Sequence, residues 1–300
     1  MKRSTFIILL AMNAIWAGTY PATKSIMAHA PFYLVTSLRY LLAALPLLAI
    51  AHVKYGLAMR AGDYARAVAI GVASFTVSPI LLYQGVTLSR AADAAILVSI
   101  EPLLIAIGAY IFLRERITRR TALALMIAFG GALLLSKFWR GDSGLHPLGT
   151  ALILGAMLAE TTYSLIGKSL LARVPALKIT AVAVASASVV NAVALTALGW
   201  WPAVANLTGV DWLTLVGFLA LLCSAFGYTL WYVALAQDVT ANVALTVFVQ
   251  PVVGIPLAWA WVGERPDAPQ LLGAAVILAA VSAAFLRPGR SIPVAEAVDG

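Results

Sequence analysis

Apolar residues in this chain do not alternate with polar ones. They run on for about twenty positions at a time, and polar residues collect in the short intervals between. Ten such runs are present, at 4–22, 33–51, 65–86, 92–113, 120–137, 148–167, 177–200, 211–234, 240–262 and 269–286. A bilayer core takes roughly 20 apolar residues per helix. In lipid a spanning segment must also satisfy its own backbone hydrogen bonds, so runs of this length predict helices. The expectation is an all-α, polytopic membrane protein with ten transmembrane helices, numbered 1–10 in that order.

A second pattern overlies the first. Residues 91–120 (AADAAILVSIEPLLIAIGAYIFLRERITRR) are written again at 240–267 (TANVALTVFVQPVVGIPLAWAWVGERPD). At an offset of 149, Tyr83 falls on Tyr232, Asp93 on Asn242, Glu101 on Gln250, Pro102 on Pro251 and Glu115-Arg116 on Glu264-Arg265, with eight identities in the 34 positions from Tyr83 to Arg116. A weaker match at an offset of 144 places Lys24-Ser25 on Lys168-Ser169 and Trp16 on Glu160. Such self-similarity predicts a duplicated unit. Its parts are a first five-helix repeat at 1–136, an external linker at 137–147, a second repeat at 148–286 and a polar, disordered cytosolic tail at 287–300. Five is odd, so the second copy must run through the membrane in the opposite sense. Two inverted five-helix repeats are a recurring plan of secondary transporters, with the substrate near the midplane between them.

Composition agrees: 62% of residues are hydrophobic and 11% charged, against about 25% charged in soluble domains. The net charge of +8 could point to nucleic acid, but its distribution points to orientation. With the N-terminus inside, fourteen Lys and Arg fall on the cytosolic side (Lys2, Arg3, Lys54, Arg60, Arg66, Arg114, Arg116, Arg119, Arg120, Lys168, Arg173, Lys178, Arg287, Arg290). Four fall outside (Arg90, Lys137, Arg140, Arg265), and Lys24 and Arg39 lie in or near the membrane. This excess predicts cytosolic N- and C-termini and an even number of spans, with no nucleic-acid partner. Lys2-Arg3, an apolar run and Ala28-His29-Ala30 imitate a secretory signal. The run is too long for a signal core and carries Asn13, Trp16 and Lys24, so it is read as helix 1. The single Cys223 excludes an intramolecular disulfide.

Ionisable groups inside the spans are the sharpest chemical signal, because a central acidic residue costs about 2.5–3.5 kcal/mol on insertion scales and so faces a partner or a cavity. Glu101 and Glu160 qualify, as candidate substrate contacts and candidate proton-coupling groups. Asp93 precedes Glu101 on roughly the same face. Asn242, Thr246 and Gln250 form the counterpart stripe at four-residue spacing. The competing reading is that Glu101 and Gln250 only hydrogen-bond across helix breaks at Pro102 and Pro251, the candidate hinges. For Glu160 the competitor is an ion pair with Lys168 or Lys24.

Asn13, Trp16 and Tyr20 share a face of helix 1, Tyr83 and Gln84 are assigned to the inner part of helix 3, and Tyr163 lies on helix 6. Ser224, Tyr228 and Trp231 or Tyr232 follow one stripe of helix 8. Aromatic walls with a few polar tips suit an amphipathic substrate, or a cation on a ring face; ordinary packing competes. Trp200, Trp201 and Trp212 read as an interfacial belt. Arg39 and Lys24 read as snorkelling side chains, His29 as solvated, and Glu115 and Glu264 as helix-end partners of nearby Arg residues. Gly85, Gly108, Gly130-Gly131, Gly155, Gly167 and Gly227 read as close helix contacts.

No P-loop, G-x-S-x-G elbow or H-E-x-x-H motif occurs, and the three His (His29, His52, His146) lie in or near loops. The expectation is neither enzyme nor metal site, and no cofactor.

Two halves, each ending its fourth helix in Glu101-Pro102…Arg114-Glu115-Arg116 or Gln250-Pro251…Gly263-Glu264-Arg265, resemble the drug/metabolite transporter superfamily, in particular its EamA-like branch. The resemblance covers the chain up to Arg287. It implies a central cavity lined mainly by helices 1, 3, 4, 6, 8 and 9 that opens alternately to the two sides. It further implies export of small amphipathic metabolites, amino acids (aromatic and apolar ones included) first, with efflux of drugs or lipophilic cations as the alternative. Protons are the candidate coupling ion, and monomer and homodimer are both compatible with it.

Overall fold

The computed structural model describes residues 3–89, 91–136, 146–262 and 266–285, with the backbone alone at 3–4, 20, 91–93 and 258–262. The side chains of Tyr20 and Asp93, most of the predicted linker, the predicted tail, and Glu264 lie outside the described residues. Among the described residues ten helices are long and apolar enough to cross a membrane: Thr5–Ile26, Phe32–Tyr55, Ala61–Leu88, Ala94–Phe112, Arg119–Ser136, Pro147–Leu171, Ala176–Ala197, Gly209–Leu235, Thr240–Leu257 and Ala268–Phe285. They are helices 1–10 of the expected plan, and no strand occurs among the described residues. Helices 1, 3 and 6 run several residues past the apolar runs, because Lys24, Asp63 and Lys168 sit in their terminal turns without ending them.

Helices 4 and 9 are both broken, and at matching places. Helix 4 is Ala91–Val98, two turn residues, then Glu101–Phe112. Helix 9 is Thr240–Leu245, a 3-10 turn at Thr246–Phe248, then Val249–Val262. At the 149-residue offset the turn residues Ser99-Ile100 fall on Phe248-Val249. The cause is proline, which has no N–H for the carbonyl four residues back (Val98 for Pro102, Val247 for Pro251) and disfavours helical geometry in the residue before it. In the second half of helix 4 Pro102 sits in the first turn, where a missing N–H costs nothing.

Helices 3 and 8 depart from α geometry in register as well. Helix 3 is π-helical at Ala73–Val77 and helix 8 at Thr214–Gly227; the offset carries 73–77 onto 222–226, inside the second segment. A wider turn leaves carbonyls for other donors, and π segments concentrate at functional sites. Asn191 on helix 7 donates to one such carbonyl, Phe75 O, at 3.3 Å.

The halves interlock: helix 5 packs along helix 10, helix 2 along helix 7, and helix 3 along helix 6. Where helices 5 and 10 cross, an added Cβ on Gly131 would lie 2.9 Å from Gly273 O, and one on Gly273 would lie 2.6 Å from Gly131 O. Gly85, Gly108, Gly167 and Gly227 are similarly tight, whereas Gly130 faces open space and serves no contact.

Among the described residues, ion pairs brace the two halves at both ends of the bundle. His29 Nδ1, in the 1–2 turn, lies 2.9 Å from Asp211 Oδ2 at the start of helix 8. Arg173 Nη2, in the 6–7 turn, lies 2.7 Å from Asp63 Oδ1 at the start of helix 3. Both carboxylates are buried and sit in the first helical turn, where the helix dipole favours an anion. His29, expected to be solvated, is thus half-exposed and paired.

Candidate functional site

The site is built around Glu160, halfway along helix 6. The residue is partly accessible, and its carboxyl group is enclosed by the bundle. The Ser78 hydroxyl, at the end of the helix 3 π segment, is its hydrogen-bond donor, and the Arg39 guanidinium faces it from helix 2. Glu101, at the first residue of the second half of helix 4, shares its electrostatic field and is also half-buried. No ion pair joins Arg39 to either carboxylate among the described residues. Arg39 therefore faces the Glu160 carboxyl group without closing on it.

Arg39 corrects the sequence reading most. It was expected to snorkel at the outer end of helix 2; it is buried, with Nε donating to Ser224 Oγ at 2.6 Å. Ser224 in turn donates to Leu219 O at 2.8 Å. The guanidinium carbon lies 5.4 Å from the centre of the Tyr40 ring. A buried cation needs this density of acceptors and ring faces. Its signal in the sequence was depth: two helical turns into an apolar run, too far for an arginine to reach the surface.

Aromatic side chains wall this group. Trp16 from helix 1 packs on Tyr228 and Trp231 of helix 8, with centroids at 5.2 and 5.7 Å, and its indole N–H donates to Cys223 O, freed by the π segment, at 2.9 Å. Trp231 Nε1 donates to Ser164 Oγ at 3.1 Å. Tyr163 lies against Phe75 and Tyr228, stacks on Tyr232 at 4.2 Å, and donates its hydroxyl to Tyr228 O at 2.7 Å. The indole and phenol polar tips named here are satisfied by protein, so these rings are fixed walls.

Other expected contacts lie elsewhere. Asn13 is fully buried and committed: Nδ2 donates to Leu9 O at 2.8 Å and Thr246 Oγ1 at 3.0 Å, and Oδ1 accepts from Gln250 Nε2 at 2.9 Å. Gln250 thus bonds helix 1, not its own helix break. Asn242, expected on the same cavity face, accepts from Thr121 on helix 5 and donates to Asp238, tying down the start of helix 9. Tyr83 and Gln84, assigned to the inner part of helix 3, lie in its last turns, which the expected topology puts on the outer side. Tyr83 stacks on Phe32 at 4.2 Å and Gln84 bonds the Tyr33 hydroxyl, at the end of the bundle carrying the 1–2 turn, because helix 3 finishes there.

Lys168 does not pair with Glu160; it donates to Leu235 O and Asp238 O and lies 3.7 Å from Glu115. Among the described residues Glu115 is paired with no arginine. Its carboxylate accepts from Thr240 N at 2.6 Å and Thr240 Oγ1 at 3.0 Å, capping helix 9 of the other half. Lys24 is exposed, as a snorkelling residue is. No group of three or more His, Cys, Asp or Glu among the described residues could share a metal ion.

Comparison with known proteins gives a consistent picture. The EamA-like transporter family matches the chain twice, over residues 3–137 and 147–286. The chain is 28% identical to a probable terminal-alkyne amino-acid exporter of Streptantibioticus cattleyicolor, over 94% of this chain and 93% of that one. It is 26% identical to a probable amino-acid metabolite efflux pump of Salmonella typhimurium, over 93% and 94%. One solved crystal structure superposes with a TM-score of 0.79 at 18% identity, covering 95% of this chain and 99% of that one, a likeness of fold. Two family matches across nearly the whole chain, on ten membrane-crossing helices, make this protein a member of the EamA-like transporter family: a multi-pass membrane transporter and not an enzyme.

Proposed function

We propose that this transporter exports apolar and aromatic amino acids by alternating access. The observation that carries the reading is the arrangement of Arg39 opposite Glu160 without direct pairing, with Glu101 near Glu160 and the Trp16–Tyr228–Trp231 wall beside them. A free amino acid is a zwitterion with a side chain. Its carboxylate would meet the Arg39 guanidinium, its ammonium Glu160 or Glu101, and its side chain the rings. Two relatives bear names that mention amino-acid export. Glu160 is the candidate for proton exchange and Glu101 the second, since each is enclosed yet reachable. The helix breaks before Pro102 and Pro251 are the candidate hinges, because each proline removes one N–H from the helical hydrogen-bond ladder there. The protein works in the bacterial cytoplasmic membrane with both termini in the cytosol, as the excess of Lys and Arg on one side supports.

Efflux of lipophilic cations is the second reading, favoured by the same rings with a carboxylate beside them. The test is flux into liposomes holding the purified protein. Labelled apolar amino acids are compared with a lipophilic cation, with and without a pH gradient, for the wild type and Glu160→Gln. Saturable amino-acid flux whose gradient dependence disappears in Glu160→Gln supports the proposal. Flux of the cation alone replaces it with the second reading.

A further inference from the structure

We propose that the turns between helices 2 and 3 and between helices 6 and 7 form a site for an anionic phosphate group, of the kind a phospholipid headgroup or a free phosphate presents. These turns enclose a cavity of about 300 Å³ between Met59, Arg60, Asp63, Arg173, Pro175 and Lys178. Three of its walls are cations and one is a carboxylate, and that carboxylate is already engaged by Arg173. Arg173 uses one nitrogen there and keeps further N–H donors. Arg60 is exposed and its side chain has no hydrogen-bond or ion-pair partner among the described residues.

Lys178 carries the argument. It is 8% exposed, and its ammonium donates to a single acceptor, Ala58 O, at 2.5 Å. No carboxylate pairs with it among the described residues. A buried ammonium without a counter-ion is costly, and here it lines an open cavity beside two further cations.

The repeat supplies an internal control. The opposite end of the bundle holds the same brace, with His29 and Asp211 at the places of Arg173 and Asp63. There Thr208 stands where Arg60 stands as the residue capping the helix start, and Leu34, fully buried, stands where Lys178 does. The fold therefore needs the brace but not the two extra cations. Orientation in the membrane does not need them both either, because a charge that orients a helix sits on the surface, and Lys178 is buried. The cavity lies where helices 2 and 6 end and helices 3 and 7 begin, which is headgroup depth in a bilayer. Basic pockets between helix ends on the cytosolic side are suited to anionic headgroups.

The experiment is thermal unfolding of the purified full chain, followed by tryptophan fluorescence. It is titrated with phosphatidylglycerol, with phosphatidylcholine and with inorganic phosphate, for the wild type, Lys178→Met and Arg60→Gln. Phosphatidylglycerol is expected to raise the wild-type Tm by about 5 °C at a hundredfold excess over Kd, and phosphatidylcholine to do nothing comparable. The rise should vanish in Lys178→Met and shrink in Arg60→Gln. An equal rise with inorganic phosphate, with the same dependence on both variants, identifies a free phosphate as the occupant. A phosphatidylglycerol effect matched by phosphatidylcholine, or undiminished in both variants, overturns the proposal. Should Lys178→Met fail to fold, Arg60→Gln, changed at an exposed side chain, decides alone.

Discussion

Replacing Gly167 with alanine tests the tightest joint of the aromatic wall. A Cβ built there lies 2.1 Å from Tyr232 Cε1, 2.5 Å from Cζ and 2.4 Å from the hydroxyl oxygen. Relief to ordinary contact requires the ring to retreat by about 1 Å or more. Tyr232 has nowhere simple to go: it is fully buried, stacked on Tyr163, and donates its hydroxyl to Tyr163 O at 3.0 Å. Overpacking of this kind costs about 1–3 kcal/mol, and loss of the hydrogen bond adds about 1 kcal/mol. Gly167→Ala is therefore expected to destabilise by about 2–4 kcal/mol, a fall in Tm of roughly 4–12 °C for a chain of this size. Tyr232→Leu removes the ring and leaves a hole that the new methyl partly fills. The double variant should then be more stable than the sum of the single effects by at least about 1 kcal/mol. Thermal unfolding of the four proteins in one detergent gives the cycle. A neutral Gly167→Ala, or strict additivity, refutes the packing argument.

The remaining expectations concern single residues. Arg39→Met should weaken amino-acid binding about 10–150-fold, the equivalent of one charge-assisted hydrogen bond, with binding of a lipophilic cation spared; a tryptophan-fluorescence titration measures both. Arg39→Lys should recover only part, since an ammonium cannot reproduce the guanidinium's planar fork toward Ser224 and a carboxylate together. Asn13→Leu removes three hydrogen bonds and strands the Gln250 amide, so a loss of about 2–4 kcal/mol is expected; Gln250→Leu added to it should cost little more. Glu115→Ala uncaps helix 9 and leaves Lys168 without its carboxylate, for about 1–2 kcal/mol, and hydrogen exchange should speed up first at Thr240–Val243.

The helices could be read from the sequence because a spanning helix is a property of one segment: about twenty apolar residues decide it without reference to neighbours. The breaks at Pro102 and Pro251 were visible for the same local reason. The π segments were not, since no residue at 73–77 or 214–227 forbids an α turn; what stabilises the wider turn is distant, Asn191 on helix 7 and Trp16 on helix 1. Glu160 was singled out as an interior carboxylate, and its competing reading, an ion pair with Lys168 or Lys24, is not the one the packing delivers. Lys168 shares its face on helix 6, yet is drawn off by carbonyls at the end of helix 8. Arg39, on a different helix, supplies the facing charge. Glu115 was misread because its partner, Thr240, lies 125 residues away. Tyr83 and Gln84 were assigned to the inner part of helix 3, which is at odds with the expected topology, since a cytosolic N-terminus runs that helix outward to end at these residues. Side-chain partners between helices depend on packing angles and offsets that the pattern of one segment does not contain.

The central claim is that the site recognises a zwitterion, with both charges read at once. Competition against transport of a labelled apolar amino acid tests it most directly, using three unlabelled compounds that share one side chain: the amino acid, its amine without the carboxylate, and its carboxylic acid without the amine. The account predicts that the intact amino acid competes and that each truncated analogue is at least about tenfold weaker, since each forfeits one charge-assisted contact. An amine that competes as well as the amino acid would contradict it, leaving Arg39 without a role in binding and the protein an exporter of cations.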